Sequence, residues 1–212
     1  MSWIIPIGIY LVCQSQNMSK AERTRAFIIE KTAPIFNTKG FAGTSLNDIT
    51  AATGLTKGSI YGNFANKDEV ALAVFDYNLQ KVKSAISSQV AKEKTAKNKL
   101  LVYANCYEKL LFPPFTEGGC PVLNTAVEAD DTHPELRKKA ATAILSWKKG
   151  IIKIIEEGIE NKEFVTTIDA AQVALTMIAM IEGAIMITKL LDNTSVIRTV
   201  MLTMKTMIAE LR

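Results

Sequence analysis

Polar side chains of several chemical kinds lie close together between Thr53 and Phe64, in the stretch TGLTKGSIYGNF. Hydroxyl, ammonium, phenol and amide groups of this kind form hydrogen bonds with phosphates and with base edges. A glycine turn follows a capped helix here, and Thr56 is a natural N-cap for a short second helix. Two short helices joined in this way are the outline of a helix-turn-helix, whose second helix lies in the DNA major groove.

The second helix of this motif has glycines on the face opposite to its apolar residues. Ile60 and Phe64 lie one turn apart and define the packed side, so Gly58 and Gly62 lie on the exposed side. A glycine inside a helix costs about 1 kcal/mol relative to alanine. Close approach of the helix backbone to a nucleic-acid groove is a physical reason for the missing side chains. The alternative is a loop that merely contains glycines.

Positive charge is concentrated around the same segment. Residues 18–67 contain seven Lys/Arg and three acidic residues, an excess of four that equals the +4 net charge of the whole chain. A phosphate-binding surface requires such a local excess, although chance clustering in a short window remains the alternative. Arg23 and Arg25 lie near the start of a helix predicted from about Ser19 to Phe36. Basic groups are unfavourable at a helix N-terminus, but they suit a helix end that approaches phosphate.

Capping residues place these groups on predicted helices. Gly40 stops the first helix, since glycine readily adopts the left-handed C-terminal conformation. Thr44 or Ser45 caps the second helix, and Asp48, three residues after Ser45, completes a capping-box arrangement. Gly54 ends that helix and begins the turn.

The rest of the chain shows helical periodicity, with no strand-like alternation, internal repeat or linker. We therefore predict an all-α protein with a three-helix helix-turn-helix domain (residues 18–66) and a helical domain (residues 67–212). Six further helices are predicted. The first is capped by Asn66, begins with Lys67 and ends near Val90, the second covers about Lys99–Leu111, and the third starts at Cys120-Pro121. The fourth runs from the capping pair Thr132 and Glu135 to about Asn161, the fifth covers Ala170–Leu191, and the last begins at about Thr194.

The first seventeen residues stand apart from this pattern. Their apolar run, residues 3–13, is shorter than a membrane span and lacks the features of a signal peptide. Either Met18 is the natural start and residues 1–17 are an extension, or they form an extra segment that packs on a dimer.

The three cysteines are too few for a disulfide framework, and no Cys/His spacing indicates zinc. We therefore expect a cytoplasmic protein without a cofactor or bound metal.

The two C-terminal helices are strongly apolar. Polar residues such as Gln172 and Glu182 interrupt the first of them and argue against a membrane span. An apolar helix in a soluble protein is buried in its own domain or against a partner. We expect this pair, within about residues 168–211, to form half of an intermolecular four-helix bundle.

The sequence from about Ala26 to Val74 resembles the TetR family of bacterial transcriptional regulators. The resemblance depends on a combination of elements: the aromatic residue of the first helix, Gly40-Phe41, Thr44-Ser45 with Ile49, Gly54-Leu55, the helix Lys57–Tyr61, Phe64, and Lys67 with its acidic followers. It implies a homodimer that binds a short, roughly palindromic operator and releases it when a small ligand enters the C-terminal domain.

The resemblance also implies roles for individual residues. It places Thr44, Thr56, Lys57, Tyr61 and Lys67 at backbone phosphates, and Gly58, Ser59 and Asn63 nearest the base edges. Many family members have histidine where this chain has Gly62, which removes one usual phosphate contact. The recognition helix contains no arginine, so we expect specificity to depend on Asn63, methyl contacts and DNA shape.

In this family an inducer binds among the C-terminal helices. The aromatic or soft residues on those helices are Tyr103, Tyr107, Phe112, Trp147, Met177 and Met180. Ordinary core packing is the alternative for each of them, because apolar residues at helical spacing need no ligand to explain them. Glu182 and Gln172 could orient a ligand or bond across a dimer, and Cys106 and Cys120 are either electrophile sensors or inert buried thiols.

Two other classes of protein remain alternatives. An enzyme would need reactive groups, and the single histidine, His133, beside Asp130 and Asp131 at a helix start, is explained by capping. We therefore expect no catalytic residues. A helical interaction protein with a vestigial helix-turn-helix would form a dimer without any preference among DNA sequences.

Overall fold

A computed structural model of the chain describes residues 18–109 and 118–212. Within these ranges the protein contains helices and no strand, which confirms the predicted all-α class. The helices are α1 (Lys20–Gly43), α2 (Leu46–Thr53), α3 (Lys57–Tyr61), α4 (Lys67–Val90), α5 (Ala96–Glu108), α6 (Pro121–Ala129), α7 (Pro134–Glu160), α8 (Ala170–Leu191) and α9 (Ser195–Ala209). The expectations for residues 1–17 and for Phe112 lie outside the described residues.

Helix α1 extends further than its sequence predicts. The side chain of Ser19 caps it in a reciprocal pair with Glu22. The helix continues past Phe36 and through Pro34, because a proline removes only the one hydrogen bond that its own N–H would have made. It breaks at Gly40, which has a positive φ of 74°, a conformation that favours glycine. Gly40 is therefore the end of the first helical segment, as predicted.

The caps of α2, α3 and α4 agree with the prediction. Ser45 caps α2 in a capping box with Asp48, and Gly54 ends it in the left-handed conformation, with φ 68°. The Thr56 hydroxyl accepts a hydrogen bond from the Ser59 amide at the start of α3. At the start of α4, Asn66 Oδ1 accepts from the Glu69 amide at 2.8 Å.

The first compact unit ends at Tyr77 and has its own apolar core. That core is formed by Ile28, Ala33, Phe36, Ile49, Ile60, Phe64, Val70, Ala71 and Val74. Leu55, the residue of the turn, is partly buried against it. The first part of α4 belongs to this unit because three of its apolar residues enter the core. The domain boundary between residues 66 and 67 stays a prediction.

The second unit, Asn78–Arg212, is a helical bundle. In it α9 packs on α8 and α5, α7 packs on α8 and α5, and α6 packs on α7. By length and composition α8 could cross a membrane. One of its faces is nevertheless buried in the bundle, through Ala174, Met177, Ile178, Ile181 and Ile185 among others. Burial of this face makes α8 a core helix of the second unit.

The end of α7 and the residues that follow it pack closely on the start of α5 and form hydrogen bonds with it. Gly158 packs so closely that an added Cβ would lie 2.8 Å from Cβ of Ala96 and closer still to the Phe164 ring. The Glu163 carboxylate accepts hydrogen bonds from the amides of Ala96 and Lys97, at 3.1 and 3.2 Å. A distant carboxylate thus satisfies the exposed amides at the α5 N-terminus.

Two helix starts differ from the prediction. Helix α5 begins at Ala96, capped by Thr95, and not at Lys99. At α7 the cap is His133, whose Nδ1 accepts from the Leu136 amide, so the proposed Thr132–Glu135 capping pair is wrong. The Thr132 hydroxyl is instead directed backwards and donates to the Glu128 carbonyl. The capping role expected for His133 is confirmed.

Candidate nucleic-acid interface and ligand cavity

The exposed face of α3 presents a small set of polar groups. Lys57 and Gly58 are exposed, Ser59 is half-buried, and the Tyr61 ring is 51% exposed. Ile60 on the opposite face is buried in the core. The helix is therefore oriented as its sequence predicts, with a lysine, a phenol and a glycine available to a partner.

The two glycines of this helix differ in their surroundings. A Cβ on Gly62 would lie 3.3 Å from the Gly58 carbonyl oxygen, a tight contact inside the helix. A Cβ on Gly58 would meet nothing closer than the Thr56 hydroxyl at 3.9 Å. Folding of this unit gives no steric reason for glycine at position 58. Any requirement for glycine at that position must come from a partner that covers the face.

Arg25 and Asn63 form hydrogen bonds within the first unit. The Arg25 guanidinium bonds the Asn63 carbonyl oxygen and the Glu69 carboxylate, the latter at 2.6 Å, and lies 3.9 Å from the Phe64 ring centre. The Asn63 side-chain amide donates to the Ser59 carbonyl at 2.8 Å. Arg25 thus ties α1 to the end of α3 and the start of α4. Arg23 is exposed.

Lys67 and Thr44 are also held inside the unit. The Lys67 ammonium donates to the carbonyls of Phe41 and Thr44, at 2.8 and 3.1 Å, and lies 4.1 Å from the Phe41 ring centre. The Thr44 side chain is fully buried, and its hydroxyl donates to the Gly40 carbonyl at 2.6 Å. Thr44 therefore differs from the exposed residues predicted to contact phosphate, because its hydroxyl is directed into the protein.

Two half-buried carboxylates of this unit, Asp48 and Glu69, are held in the ionised form. The pKa of Asp48 is lowered well below its usual range by the Lys39 ammonium, 2.6 Å away, and by hydrogen bonds from Ser45. The pKa of Glu69 is lowered by the Ala65 amide and then by Arg25. These contacts fix the α1–α2 and α1–α4 junctions.

The second unit contains a cavity of about 570 Å³. Side chains from α4, α5 and α7 line it, with residues at the start of α6. Of the residues predicted to bind a ligand, Tyr103, Tyr107 and Trp147 line the cavity. Met177 and Met180 are not among the described lining residues, and Met177 is completely buried in the core. Buried helical spacing is shared by core residues and cavity residues, and a ligand-binding role for these two methionines stays a prediction.

The three aromatic residues form one wall of the cavity. The Trp147 ring centre lies 5.7 Å from that of Tyr107 and 6.5 Å from that of Tyr103, with interplanar angles of 26° and 22°. Burial raises the pKa of Tyr103 to about 12 and that of Tyr107 well above its ordinary value. Both phenols are therefore neutral near pH 7, and the wall is flat and uncharged.

Charged groups line another part of the same cavity. Lys99 forms an ion pair with Glu157 at 2.9 Å, and the Lys153 ammonium is 3.9 Å from the other oxygen of Glu157. Lys83 of α4 and Glu93 complete the charged lining. Lysines outnumber glutamates among these residues, and the cavity thus has an aromatic part and a basic part.

A buried thiol in the cavity lining is bonded to a buried carboxyl of α8. Cys120 lines the cavity, and its thiol donates to Oε1 of Glu182 at 3.1 Å. Oε2 of Glu182 is buried with no hydrogen-bond partner among the described residues. Burial raises the pKa of Glu182 to about 7 and that of the Cys120 thiol well above its usual value. From the sequence, Glu182 was a polar interruption of α8 that could orient a ligand or bond across a dimer. No pattern indicated its partner 62 positions away.

The remaining sequence candidates lie elsewhere. Gln172 is exposed on the first turn of α8. Burial also raises the pKa of the half-buried Cys106 thiol, which lowers its reactivity. Among the described residues there is no group of three or more His, Cys, Asp or Glu side chains that could hold a metal ion.

Helices α8 and α9 have large apolar side chains on the surface of the single chain. Those on α8 include Leu175, Met186, Leu190 and Leu191, which are between 48% and 79% exposed. Leu202 of α9 is 66% exposed. Exposed apolar groups on neighbouring helices are typical of a protein–protein interface.

Comparison with known proteins agrees with this architecture. A family model described as "Bacterial regulatory proteins, tetR family" matches residues 28–74, and one described as "Tetracyclin repressor-like, C-terminal domain" matches residues 96–204. These matches cover the helix-turn-helix and most of the unit that contains the cavity. The chain belongs to the TetR family of transcriptional regulators.

Individual relatives support the same assignment. The structure is similar to that of a TetR-family regulator from Cytophaga hutchinsonii, at 52% identity and TM-score 0.89, covering 92% of this chain and 98% of that one. A TetR regulator from Chloroflexus aurantiacus matches at 36% identity and TM-score 0.86, over 91% and 98%. The curated regulator TtgR of Pseudomonas putida is 29% identical over 78% of this chain and 80% of its own length.

Proposed function

We propose that this regulator is a cytoplasmic homodimer that binds a short, roughly palindromic operator and releases it when a small molecule enters the cavity. The observation that carries the proposal is the exposed face of α3, where Lys57, Tyr61 and an unobstructed Gly58 are held on a buried base of apolar residues. Its curated relatives are transcriptional regulators, and the proposal includes no catalytic residue.

The residues predicted to bind DNA divide into two groups by their present contacts. We assign direct contacts to the exposed or half-buried groups Arg23, Thr56, Lys57, Gly58, Ser59 and Tyr61. We assign positioning roles to Arg25, Thr44, Asn63 and Lys67, because their polar atoms already bond other parts of the unit. Lys67 can still reach a phosphate with a remaining N–H. On this assignment phosphates supply most of the affinity.

A second copy of this chain is the proposed occupant of the apolar surface on α8 and α9. Pairing of the two helices with their equivalents would bury Leu175, Met186, Leu190 and Leu202 in a four-helix bundle. Such a closed two-fold arrangement presents two copies of α3, as a palindromic operator requires.

Helix α4 is the proposed connection between the two activities. Its first turns supply Val70 and Val74 to the core of the first unit, and its later turns supply Val82 and Ile86 to the cavity lining. A ligand that displaces the second part of this helix would move the first part with it. Differential ligand affinity for the two positions of α4 would then shift the protein between operator-binding and released states.

The proposal is tested by selecting bound DNA from a random pool with the full-length protein, and then screening small molecules for release of the selected sequence. Enrichment of one inverted repeat, bound by a dimer, is the expected result. A stable dimer without sequence enrichment would indicate a helical interaction protein. Turnover of a metabolite by the purified chain, with no operator, would favour an enzyme.

A further inference from the structure

One glycine of the cavity has no structural explanation within the protein. Gly150 lies in the interior of α7, where glycine is unfavourable by about 1 kcal/mol relative to alanine. A Cβ at this position would have no atom within 4 Å, so no neighbouring group excludes a side chain. Gly150 also lines the cavity. The space that a side chain would fill therefore belongs to the cavity.

Gly150 lies in a row of three cavity residues along α7. Trp147 precedes it by three positions and Lys153 follows it by three, and all three line the cavity. Residues three apart are neighbours on a helix surface. The row therefore runs from an indole ring across a bare stretch of backbone to an ammonium group. Tyr107 and Tyr103 extend the aromatic end, since their rings lie nearly parallel to that of Trp147.

The basic end of this row is available to a ligand. Glu157 is closely bonded to Lys99, at 2.9 Å, and only loosely paired with Lys153, at 3.9 Å. The Lys153 side chain is 77% exposed. An entering anion can therefore bond Lys153 without breaking the Lys99 ion pair. Lys83, which lines the cavity from α4, adds a second positive charge.

From this arrangement we infer that the cavity binds a planar aromatic carboxylate, with its ring on Gly150 beside Trp147 and its carboxylate at Lys153. A flat ring can pack on the backbone surface that Gly150 leaves open, and ring stacking on Trp147 adds to apolar burial. An organic cation of the same shape would meet lysines at that end, whereas a flexible alkyl acid would gain little from a flat surface. The inference depends on the proposed ligand-binding role of the cavity.

Trp147 fluorescence provides a direct assay. The chain has two tryptophans, so the full-length variant Trp3→Phe leaves Trp147 as the single indole reporter. The probes are 2-naphthoate, 2-naphthalenemethanol, 2-naphthylmethylammonium and decanoate, each titrated without DNA. We expect 2-naphthoate to bind most tightly, about fivefold better than the neutral alcohol, as a partly exposed ion pair allows. Lys153→Gln should remove this advantage and leave binding of the alcohol unchanged.

Two leucine substitutions one residue apart test the position of the ring. Gly150→Leu fills the open space and should abolish 2-naphthoate binding, whereas Lys149→Leu, at an exposed neighbouring position outside the cavity lining, should leave it unchanged. Gly150→Ala provides a milder variant that should weaken binding while the melting temperature is kept or raised. Operator binding without the probe should be the same for all three.

The inference is overturned if decanoate or the ammonium probe binds as tightly as 2-naphthoate, or if the folded Gly150→Leu variant binds 2-naphthoate normally. Failure of the proposed function gives a different result. If 2-naphthoate binds with the predicted variant pattern but does not release operator DNA, the ligand class stands and the proposed release is contradicted.

Discussion

Groups in the two units have their pKa values shifted in opposite directions. In the first unit, Asp48 and Glu69 are half-buried, and donors from neighbouring segments lower the pKa of each carboxyl. In the second unit, burial raises the pKa of Glu182, Tyr107 and Cys120, so that these groups favour their neutral forms. The first arrangement uses ion pairs and hydrogen bonds to hold the helices of the first unit together. The second keeps the aromatic wall of the cavity uncharged, beside a separate part that is lined by lysines and glutamates.

The largest effect is expected at Gly158, which packs closely against Phe164 and Ala96 in the second unit. Gly158→Ala would place a methyl group against the buried Phe164 ring and Ala96. Overpacking of this kind costs about 3 kcal/mol at the upper end of its usual range. The control is Gly150→Ala on the same helix, where no atom lies within 4 Å and stability should rise by about 0.5–1 kcal/mol. Thermal unfolding measures both, and equal melting temperatures would contradict the close packing at Gly158.

The next effect concerns the raised pKa of Glu182. Between pH 4.5 and about 7 the folded protein binds a proton at Glu182 that the unfolded chain does not. Stability contributed by this carboxyl is therefore present at low pH and is lost as pH rises through this window, by at most roughly 3 kcal/mol. Glu182→Gln keeps an oxygen for the Cys120 thiol and should remove this pH dependence.

Chemical denaturation at a series of pH values measures the Glu182 effect. The control Glu160→Gln changes an exposed carboxyl on α7 and should leave the pH profile as in the natural protein. If Glu182→Gln and Glu160→Gln give the same profile between pH 5 and 7, Glu182 is ionised in the folded state.

A moderate effect is expected at the ion pair that organises the first unit. Arg25→Ala removes hydrogen bonds to the Asn63 carbonyl and to Glu69, and should cost about 1–2 kcal/mol of stability as well as operator affinity. Arg23→Ala, two residues earlier and exposed, should leave stability unchanged while weakening DNA binding and reducing its salt dependence. Identical melting curves for the two variants would exclude the positioning role of Arg25.

Local interactions explain why much of the fold could be predicted from the sequence. The caps at Ser45, Thr56 and Asn66 join residues only three positions apart, so their residue types reveal them. Arg25 was predicted as a DNA contact from its place near a helix start, and Asn63 from the family resemblance. The hydrogen bond between these two residues spans 38 positions, and a sequence pattern does not indicate it.

The cavity was predictable only in part for the same reason. Aromatic residues on α5 and α7 line the cavity, whereas Met177 has the same helical spacing and lies in the core. Periodicity distinguishes an inner face from an outer one, and it does not show whether the inner face meets other side chains or an open space. The sequence does not single out Gly150, because its significance depends on the absence of atoms near its missing side chain in the folded protein.

The central claim is that the exposed face of α3 is shaped for DNA. Gly58→Ala tests it most directly, because the added methyl group meets nothing closer than 3.9 Å within the protein. The free protein should become more stable by about 0.5–1 kcal/mol, while affinity for the selected operator should fall about tenfold, equivalent to ~1.4 kcal/mol. A variant that melts at a higher temperature and binds the operator as tightly as the natural protein would contradict the claim.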